Sequence, residues 1–282
     1  MKVTKIDRKS ANHAPTLMVK VGDTQFAYRE FGPKKGVPVI FLHHFTAVLD
    51  DWDPRVIDGI ASKRRVITFD NRGIGGTQGR TPNSVAAMAD DAIAFIRAQG
   101  FAQVDLMGFS LGGFIAQSIA LKEPGLVRRV VLAGTGPAGQ SSLSKLPTML
   151  GDLMRGLFTL KDPKQYLFFT KTAHGKAAAR AFMKRIKERR EDRVNPTSPL
   201  GVAAQVVAIN RWGSQAPMSL AAIKQPVLVV NGEDDRMIPT QFSQDLARRI
   251  PNASLTLYPD AGHGGLFQCH EQFVPQVLAF LA

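Results

Sequence analysis

Cysteine and long apolar segments are both scarce in this chain of 282 residues. With Cys269 as its one cysteine, the chain cannot form an intramolecular disulfide or a thiolate metal cluster, and a reducing compartment is the default expectation. Its apolar runs, such as 39–42 and 226–230, are about as long as a strand and far shorter than the roughly 20 residues of a membrane helix. The N-terminal residues are basic, but no apolar stretch follows them as in a signal peptide. We therefore predict a cytoplasmic protein without a membrane partner.

Acidic residues are few relative to basic ones, with 23 Asp and Glu against 36 Lys and Arg. Such a balance raises nucleic acid and anionic surfaces as partners. The excess is concentrated, because fourteen basic and five acidic residues lie between Gln140 and Gln215. In the densest stretch, 184–193, acidic side chains interleave with basic ones and no aromatic residue is present. This pattern is typical of a solvated helix face that could weakly steer anionic substrates, and we predict no nucleic-acid partner.

Short β-branched runs alternate with helical patterns along most of the chain. Two runs on either side of Gly22-Asp23 indicate an antiparallel hairpin. Near-continuous apolar runs, typical of parallel strands covered on both faces, lie at 37–42, 65–69, 103–107, 127–133, 226–230 and 254–258. Between several of them apolar residues recur at helical spacing, as in 84–99 behind a Ser84 cap. The alternation predicts an α/β fold with a mostly parallel eight-stranded sheet and helices on both faces.

The segment from about residue 139 to 216 breaks this rhythm, because it contains helix-forming stretches such as 176–190 but no convincing strand. We predict a helical lid at 139–216, inserted into a core domain made of 1–138 and 217–282. The lid would cover the carboxyl edge of the sheet. Its apolar side chains suggest a hydrophobic acyl or ring pocket, although packing within the lid explains them at least as well: Leu153, Leu157, Phe158, Phe168, Phe169 and Phe182.

The most informative motif is G-x-S-x-G at Gly108-Phe109-Ser110-Leu111-Gly112. This motif holds a serine on a strained turn between a strand and a helix, and the small residues on either side let neighbouring backbone approach. Here an apolar strand pattern precedes the motif and a helical pattern follows it. The alternative interpretation is a glycine-rich turn with an incidental serine. We favour a nucleophilic serine because the context is the one that the motif requires.

A nucleophilic serine needs a base and a third group that orients the base. Asp234 and Asp235 both follow the strand at 226–230, at the edge where ligands of α/β proteins bind. His263 lies in a glycine-flanked turn after the last strand, at the same edge. Asp260 is nearer to His263 in sequence, but it lies on the wrong connection and is better explained as a turn residue after Pro259. The residues alone leave Asp234 and Asp235 open as the acid.

Through these motifs, nearly the whole chain resembles the α/β-hydrolase superfamily. It looks most similar to the branch of small-molecule esterases, lactonases, C–C bond hydrolases and cofactor-free haloperoxidases. The family's G-x-x-D-x-x-x-P pattern matches 232–239, and the resemblance therefore implies Asp235 as the acid and His263 as the base. It also implies an oxyanion hole made by the backbone N–H groups of Phe45 and Leu111.

His44 stands where the family usually has glycine, and its side chain could line the pocket or only pack against the loop. Trp52 and Phe109 are further candidates for lining the pocket. We expect no metal, because adjacent residues such as His43 and His44 rarely bind one ion together. Arg72 lies in a loop that resembles the family's D-x-R-G-x-G and that we interpret as structural. The glycines of this loop form no phosphate-binding G-x-G-x-x-G, because no βαβ fingerprint with its acidic partner surrounds them, so we expect no cofactor.

The residues and the resemblance together predict a serine hydrolase that cleaves a small-molecule ester, lactone or related carbonyl substrate. Ser110 would attack the carbonyl carbon, His263 would relay the proton and Asp235 would orient His263. One alternative is a cofactor-free haloperoxidase or perhydrolase on the same triad, and another is a receptor-like protein with poor turnover. Dehalogenases and epoxide hydrolases of this fold are disfavoured, because they need Asp where this chain has Ser110. The oligomeric state stays open, a homodimer included.

Overall fold

The computed structural model describes residues 10–140 and 162–282, and its strands form a single sheet of eight in these residues. The strands are β1 Leu17–Val21, β2 Thr24–Phe31, β3 Val39–Leu42, β4 Val66–Phe69, β5 Val104–Phe109, β6 Val127–Ala133, β7 Val227–Gly232 and β8 Ala253–Tyr258. Their order across the sheet is β1-β2-β4-β3-β5-β6-β7-β8. The pairs β1–β2 and β2–β4 are antiparallel, and all the others are parallel.

The α-helices of the described residues are α1 Pro54–Ala61, α2 Val85–Ala98, α3 Leu111–Lys122, α4 Lys164–Leu167, α5 Ala173–Arg185, α6 Pro199–Ser214, α7 Thr240–Arg249, α8 Gly265–Gln268 and α9 His270–Leu281. The predicted cap of α2 is present, because Ser84 Oγ accepts a hydrogen bond from the N–H of Ala87 at 3.3 Å. Across 10–140 and 162–282, no helix is both long and apolar enough to span a bilayer.

Helices cover both faces of the sheet, as the sequence predicts. One apolar cluster packs α2, α3 and α7 against one face, and it includes Phe95, Ile115 and Leu246. A second cluster packs α1 and α9 against the other face, through residues such as Ile57 and Phe273. Strands β3, β4, β5 and β7 are buried at every position, which explains their near-continuous apolar sequences. The predicted fold class is confirmed.

Between β6 and β7, the described residues 162–216 form α4, α5 and α6, which we call the inserted helices. No strand occurs in this part of the described chain. Hydroxyl side chains cap two of the helices: Thr172 Oγ1 accepts from the N–H of Gly175 at 3.0 Å, and Ser198 Oγ accepts from the N–H of Gly201 at 3.1 Å. The predicted lid residues Leu153, Leu157 and Phe158 lie outside the described residues, and the lid boundaries stay a prediction.

The basic stretch 184–193 is only partly solvated. Arg185 donates to both carboxylate oxygens of Asp53, with distances of 2.6 to 3.0 Å. Arg189 is buried and its Nε lies 3.6 Å from Oδ1 of Asp50. The predicted solvated face is therefore wrong for Arg185 and Arg189, while the neighbours Lys184, Lys187, Glu188 and Arg190 are exposed. The predicted helix over 176–190 is also too long, because α5 ends at Arg185 and most of 184–193 is not helical. Acids that follow β3 offer Arg185 and Arg189 buried partners instead of the predicted pairing within one helix.

Candidate active site

Ser110 lies on a sharp turn between β5 and α3, with φ 54° and ψ −116°. Few residues other than glycine adopt such a conformation, and surrounding structure must hold it. Two glycines make room for the turn: a Cβ at Gly108 would lie 2.5 Å from the carbonyl oxygen of Gly112, and a Cβ at Gly112 would lie 2.0 Å from that of Leu42. The motif therefore needs glycine at both places, and the turn presses against the end of β3.

Hydrogen bonds hold the backbone of this turn in place. The N–H of Ser110 donates to the carbonyl of Ala133 at 2.9 Å. The carbonyl of Ser110 accepts from the N–H of Gly113 and from Oγ1 of Thr135, both at 2.9 Å. Because the backbone of Ser110 is bonded on both sides, the strained conformation is fixed while the side chain stays available. Ser110 itself is 7% exposed.

Asp235 and His263 meet in a buried pair. Nδ1 of His263 lies 2.8 Å from Oδ2 of Asp235, and both side chains are fully buried. The other oxygen, Oδ1, accepts from the N–H groups of Met237 and Ile238 at 2.8 and 3.0 Å. A carboxylate can only accept, so the proton of a neutral His263 lies on Nδ1 and leaves Nε2 with a lone pair. Within the described residues Nε2 has no hydrogen-bond partner, as is common before substrate tightens such contacts.

The other two acids considered from the sequence lie elsewhere. Asp234 is exposed to solvent, beside the buried Asp235. Asp260 occupies a turn with φ 49°, and its carboxylate accepts from the hydroxyls of Thr170 and Thr172 at 2.9 and 3.0 Å. Of the three acids, Asp235 is the one that contacts His263 Nδ1.

Aromatic rings enclose the imidazole of His263. The ring of Phe109, the residue before Ser110, lies 5.0 Å from it, and the ring of Phe168 lies 5.5 Å from it. A Cβ at Gly134, just after β6, would lie 3.3 Å from Cε1 of His263. Ser110, Asp235 and His263 thus follow the carboxyl ends of β5, β7 and β8, at one edge of the sheet. Apolar side chains from the sheet and from beside the inserted helices cover them.

The loop after β3 lies against the Ser110 turn, since a Cβ at Gly112 would also come within 2.9 Å of the carbonyl oxygen of His43. This loop carries Phe45. Leu111, the second predicted oxyanion donor, is the first residue of α3, where an N–H has no acceptor within the helix. Both predicted donors therefore belong to backbone segments that meet at the carboxyl ends of β3 and β5.

His44 and His43 are both buried next to this site. The His44 ring makes edge contacts with Phe109 and Phe168, at centroid distances of 5.2 and 5.1 Å. Burial lowers the pKa of His44 to about 3 and that of His43 to about 4, so both rings are neutral at pH 7. Burial raises the pKa of Asp70, whose Oδ1 lies 3.7 Å from Nε2 of His43, to about 7. In the described parts of the chain, no group of three His, Cys, Asp or Glu is arranged to hold a metal ion.

The remaining pocket candidates take different positions. The ring of Trp52 lies 4.9 Å from Phe41 and 6.3 Å from Phe109, so it packs in the layer behind Phe109. Arg72 pairs with Asp91 at 2.5 Å, in keeping with the structural interpretation of its loop. Sequence reasoning missed one buried side chain here: Oε1 of Gln205 on α6 accepts from the N–H of Thr46 at 2.7 Å. No sequence signal marks Gln205.

Comparison with known proteins gives consistent results. A family model described as alpha/beta hydrolase fold matches residues 37–268. The chain is 27% identical over 273 residues to a non-heme chloroperoxidase of Streptomyces lividans, covering 92% of this chain and 96% of that protein. It is 28% identical over 225 residues to a 2-hydroxymuconate semialdehyde hydrolase of Pseudomonas putida, covering 78% and 77%. A solved alpha/beta hydrolase fold protein from Chitinophaga pinensis is 38% identical with a TM-score of 0.92, covering 96% of this chain and 98% of that chain.

Proposed function

This chain belongs to the alpha/beta hydrolase family, and from that premise we propose that it is a serine hydrolase acting through Ser110, His263 and Asp235. The observation that carries the proposal is the buried 2.8 Å contact between His263 Nδ1 and Asp235 Oδ2, at the same sheet edge as the strained Ser110 turn. A serine hydroxyl is a weak nucleophile until such an oriented base removes its proton.

The proposed chemistry follows from the hydrogen-bonding capacity of each group. Nε2 of His263 accepts the proton of Ser110 Oγ while Oγ forms a bond to the carbonyl carbon, and Asp235 stabilises the resulting imidazolium. The N–H groups of Phe45 and Leu111 donate to the oxygen that becomes negative, and one such donor contributes roughly 10²- to 10³-fold in kcat. The imidazolium then protonates the leaving group, and water releases the acyl group from Ser110 by the same steps.

The proposed substrate is a small molecule with an ester, lactone or related carbonyl group. Phe109 and Phe168 present apolar surface around His263, and the neutral His44 adds no charge to it. An uncharged acyl chain or ring would be desolvated at low cost against these rings. We propose no nucleic-acid partner.

The test is a panel of p-nitrophenyl esters of increasing chain length beside a panel of lactones. We expect hydrolysis of at least one member, and labelling of Ser110 by a fluorophosphonate probe. Ser110→Ala should abolish labelling and lower kcat by about 10⁴-fold or more. The matched control is Ser118→Ala, which removes another buried hydroxyl of α3 and should leave both readouts unchanged. Turnover by Ser110→Ala close to wild type would contradict the mechanism.

A second candidate activity is perhydrolysis, which the similarity to a non-heme chloroperoxidase over 92% of the chain favours. Hydrogen peroxide would replace water, attack the acyl group on Ser110 and leave as a peracid. The peracid then oxidises a halide ion to hypohalous acid and returns to the carboxylic acid. Bromide oxidation that requires both acetate and peroxide, and that Ser110→Ala abolishes, would support this activity. Absence of bromide oxidation in wild type, despite ester hydrolysis, would remove it.

A further inference from the structure

The predicted oxyanion loop contains a tight turn from His44 to Ala47. The N–H of Ala47 donates to the carbonyl of His44 at 3.1 Å, and Thr46 has a φ of 62° while Phe45 has no positive φ. A positive φ at the third position alone is typical of a type II turn, which favours glycine or asparagine there. Thr46 is β-branched, and such residues adopt a positive φ at a steric cost. Left to its own sequence, this turn should prefer type I, in which the central peptide is flipped.

The central peptide of the turn joins Phe45 to Thr46, and one side chain contacts its carbonyl oxygen while another contacts its N–H. Nδ1 of His44 lies 2.9 Å from the carbonyl oxygen of Phe45, and Oε1 of Gln205 accepts from the N–H of Thr46 at 2.7 Å. A carbonyl only accepts and an N–H only donates, so His44 Nδ1 carries a proton and the amide oxygen of Gln205 faces Thr46. In a flipped peptide both contacts would be mismatched, with a donor facing a donor and an acceptor facing an acceptor.

We propose that Gln205 is a positioning residue that, together with His44, keeps this turn in its type II form and so fixes the loop on which the preceding peptide, His44–Phe45, carries the N–H of Phe45 for the oxyanion. Because Gln205 lies on α6, docking of the inserted helices would complete the oxyanion hole. The proposal rests on the serine hydrolase function for its catalytic consequence. It also gives His44 a role that the usual glycine could not have, since glycine has no side chain to hold the carbonyl of Phe45.

Further contacts fasten the inserted helices to the same loop. Oγ1 of Thr197, just before α6, donates to the carbonyl of Thr46 at 2.8 Å. Nζ of Lys164 on α4 lies 3.1 Å from Oδ1 of Asp51, a few residues after the turn. Gln205 is fully buried, and its amide nitrogen has no hydrogen-bond partner among the described residues. Its contact with Thr46 is therefore the polar interaction that keeps this side chain in place.

The experiment compares Gln205→Met, which removes the acceptor at nearly constant size, with Gln205→Glu, which keeps an oxygen for the N–H of Thr46. Gln225→Met is the matched control, because Gln225 is also buried and bonds a backbone carbonyl, that of Pro124, at 3.0 Å. We expect Gln205→Met to lower kcat by about 10- to 100-fold, below the roughly 10³-fold limit for losing a donor, with KM changed less than about threefold. Gln205→Glu and Gln225→Met should stay within about threefold of the wild-type kcat.

A rescue separates positioning from a general loss of stability. Thr46→Gly removes the steric cost of the positive φ, so adding it to Gln205→Met should restore kcat at least about fivefold. Wild-type kcat in Gln205→Met, or a loss that Thr46→Gly does not reverse, would overturn the proposal.

Amide hydrogen exchange needs no enzymatic activity, so it tests the turn even if the proposed function is wrong. Absence of both hydrolysis and fluorophosphonate labelling in wild type would count against the serine hydrolase and not against the held turn. Amide hydrogen exchange at Thr46 should accelerate at least about tenfold in Gln205→Met and not in Gln225→Met. Unchanged exchange at Thr46 would refute the hydrogen bond to Gln205 as the element that holds the turn.

Discussion

Replacing Asp235 with asparagine gives the sharpest test of the proposed triad, because the structure dictates how the new amide must lie. Oδ1 of Asp235 accepts from the N–H groups of Met237 and Ile238 at 2.8 and 3.0 Å. In Asp235→Asn the amide oxygen must therefore keep this place, and the NH₂ group faces Nδ1 of His263. An NH₂ group donates, so Nδ1 has to accept and the proton of the imidazole moves to Nε2. A protonated Nε2 cannot take the proton of Ser110.

The expected loss is about 10⁴-fold in kcat, the size seen when a serine-protease triad is locked in the wrong tautomer. This corresponds to roughly 5.5 kcal/mol of activation free energy at 1.36 kcal/mol per tenfold. The fold should survive, because the two backbone hydrogen bonds to Oδ1 are kept. Replacing one charge-assisted hydrogen bond by a neutral one should cost about 1–3 kcal/mol of unfolding free energy.

The assay is kcat for the best p-nitrophenyl ester near pH 7.5, with the thermal midpoint measured on the same preparation. Asp234→Asn is the matched control, since it removes the same charge from the adjacent, exposed residue and should keep kcat within about twofold. Retention of more than about a tenth of wild-type kcat in Asp235→Asn would refute the tautomer argument. An equal loss in Asp234→Asn would refute the assignment of Asp235.

Three further changes test the packing around the site. Gly112→Ala places a Cβ 2.0 Å from a backbone oxygen and should lower the unfolding free energy, measured by urea titration, by roughly 3 kcal/mol or more. In the control Gly125→Ala, the new Cβ has no neighbour within 4 Å, and the unfolding free energy should change by less than about 0.5 kcal/mol. Burial lowers the pKa of His44 to about 3, so the wild-type protein loses stability as the pH falls below about 6.5. Between pH 6.5 and 4.5, the unfolding free energy of His44→Phe relative to wild type should therefore rise by roughly 2.5 kcal/mol. A difference that does not change with pH would contradict this prediction. Arg185→Met leaves the fully buried carboxylate of Asp53 without its cation and should lower the unfolding free energy by about 2–4 kcal/mol in the same titration. The control Arg190→Met changes an exposed arginine and should cost less than about 0.5 kcal/mol. Equal effects of the two substitutions would contradict a buried ion pair.

The sheet and the Ser110 turn could be predicted because their signals are local. A strand buried on both faces needs a near-continuous apolar run, as in β3, and the run at Val127–Ala133 predicts the observed bounds of β6 even though Arg128 and Arg129 interrupt it. The G-x-S-x-G motif marks the turn because the backbone leaves no room for a Cβ at Gly108 or Gly112. Strand ends elsewhere shift by a residue or two, since hydrogen bonds to the neighbouring strand decide where a strand begins.

The local sequence does not decide which of two adjacent acids belongs to the site. Position in the chain leaves both Asp234 and Asp235 open, and only the resemblance to a family favoured Asp235. In the folded chain Asp235 is buried against His263 while Asp234 is exposed to solvent. Which of two neighbouring side chains points inward depends on the path of the loop after β7.

By itself, the sequence determined the strand and helix pattern, the class of fold and the Ser110 turn, because each depends on residues that are close together in the chain. The tertiary structure decided which partners the inserted helices find. Gln205 and Thr46 are 159 positions apart, and Arg185 and Asp53 are 132 apart. No periodicity encodes such pairs, because a hydrogen bond across that separation exists only once the helices dock on the loop after β3. The held turn in the predicted oxyanion loop is therefore a property of the packed molecule.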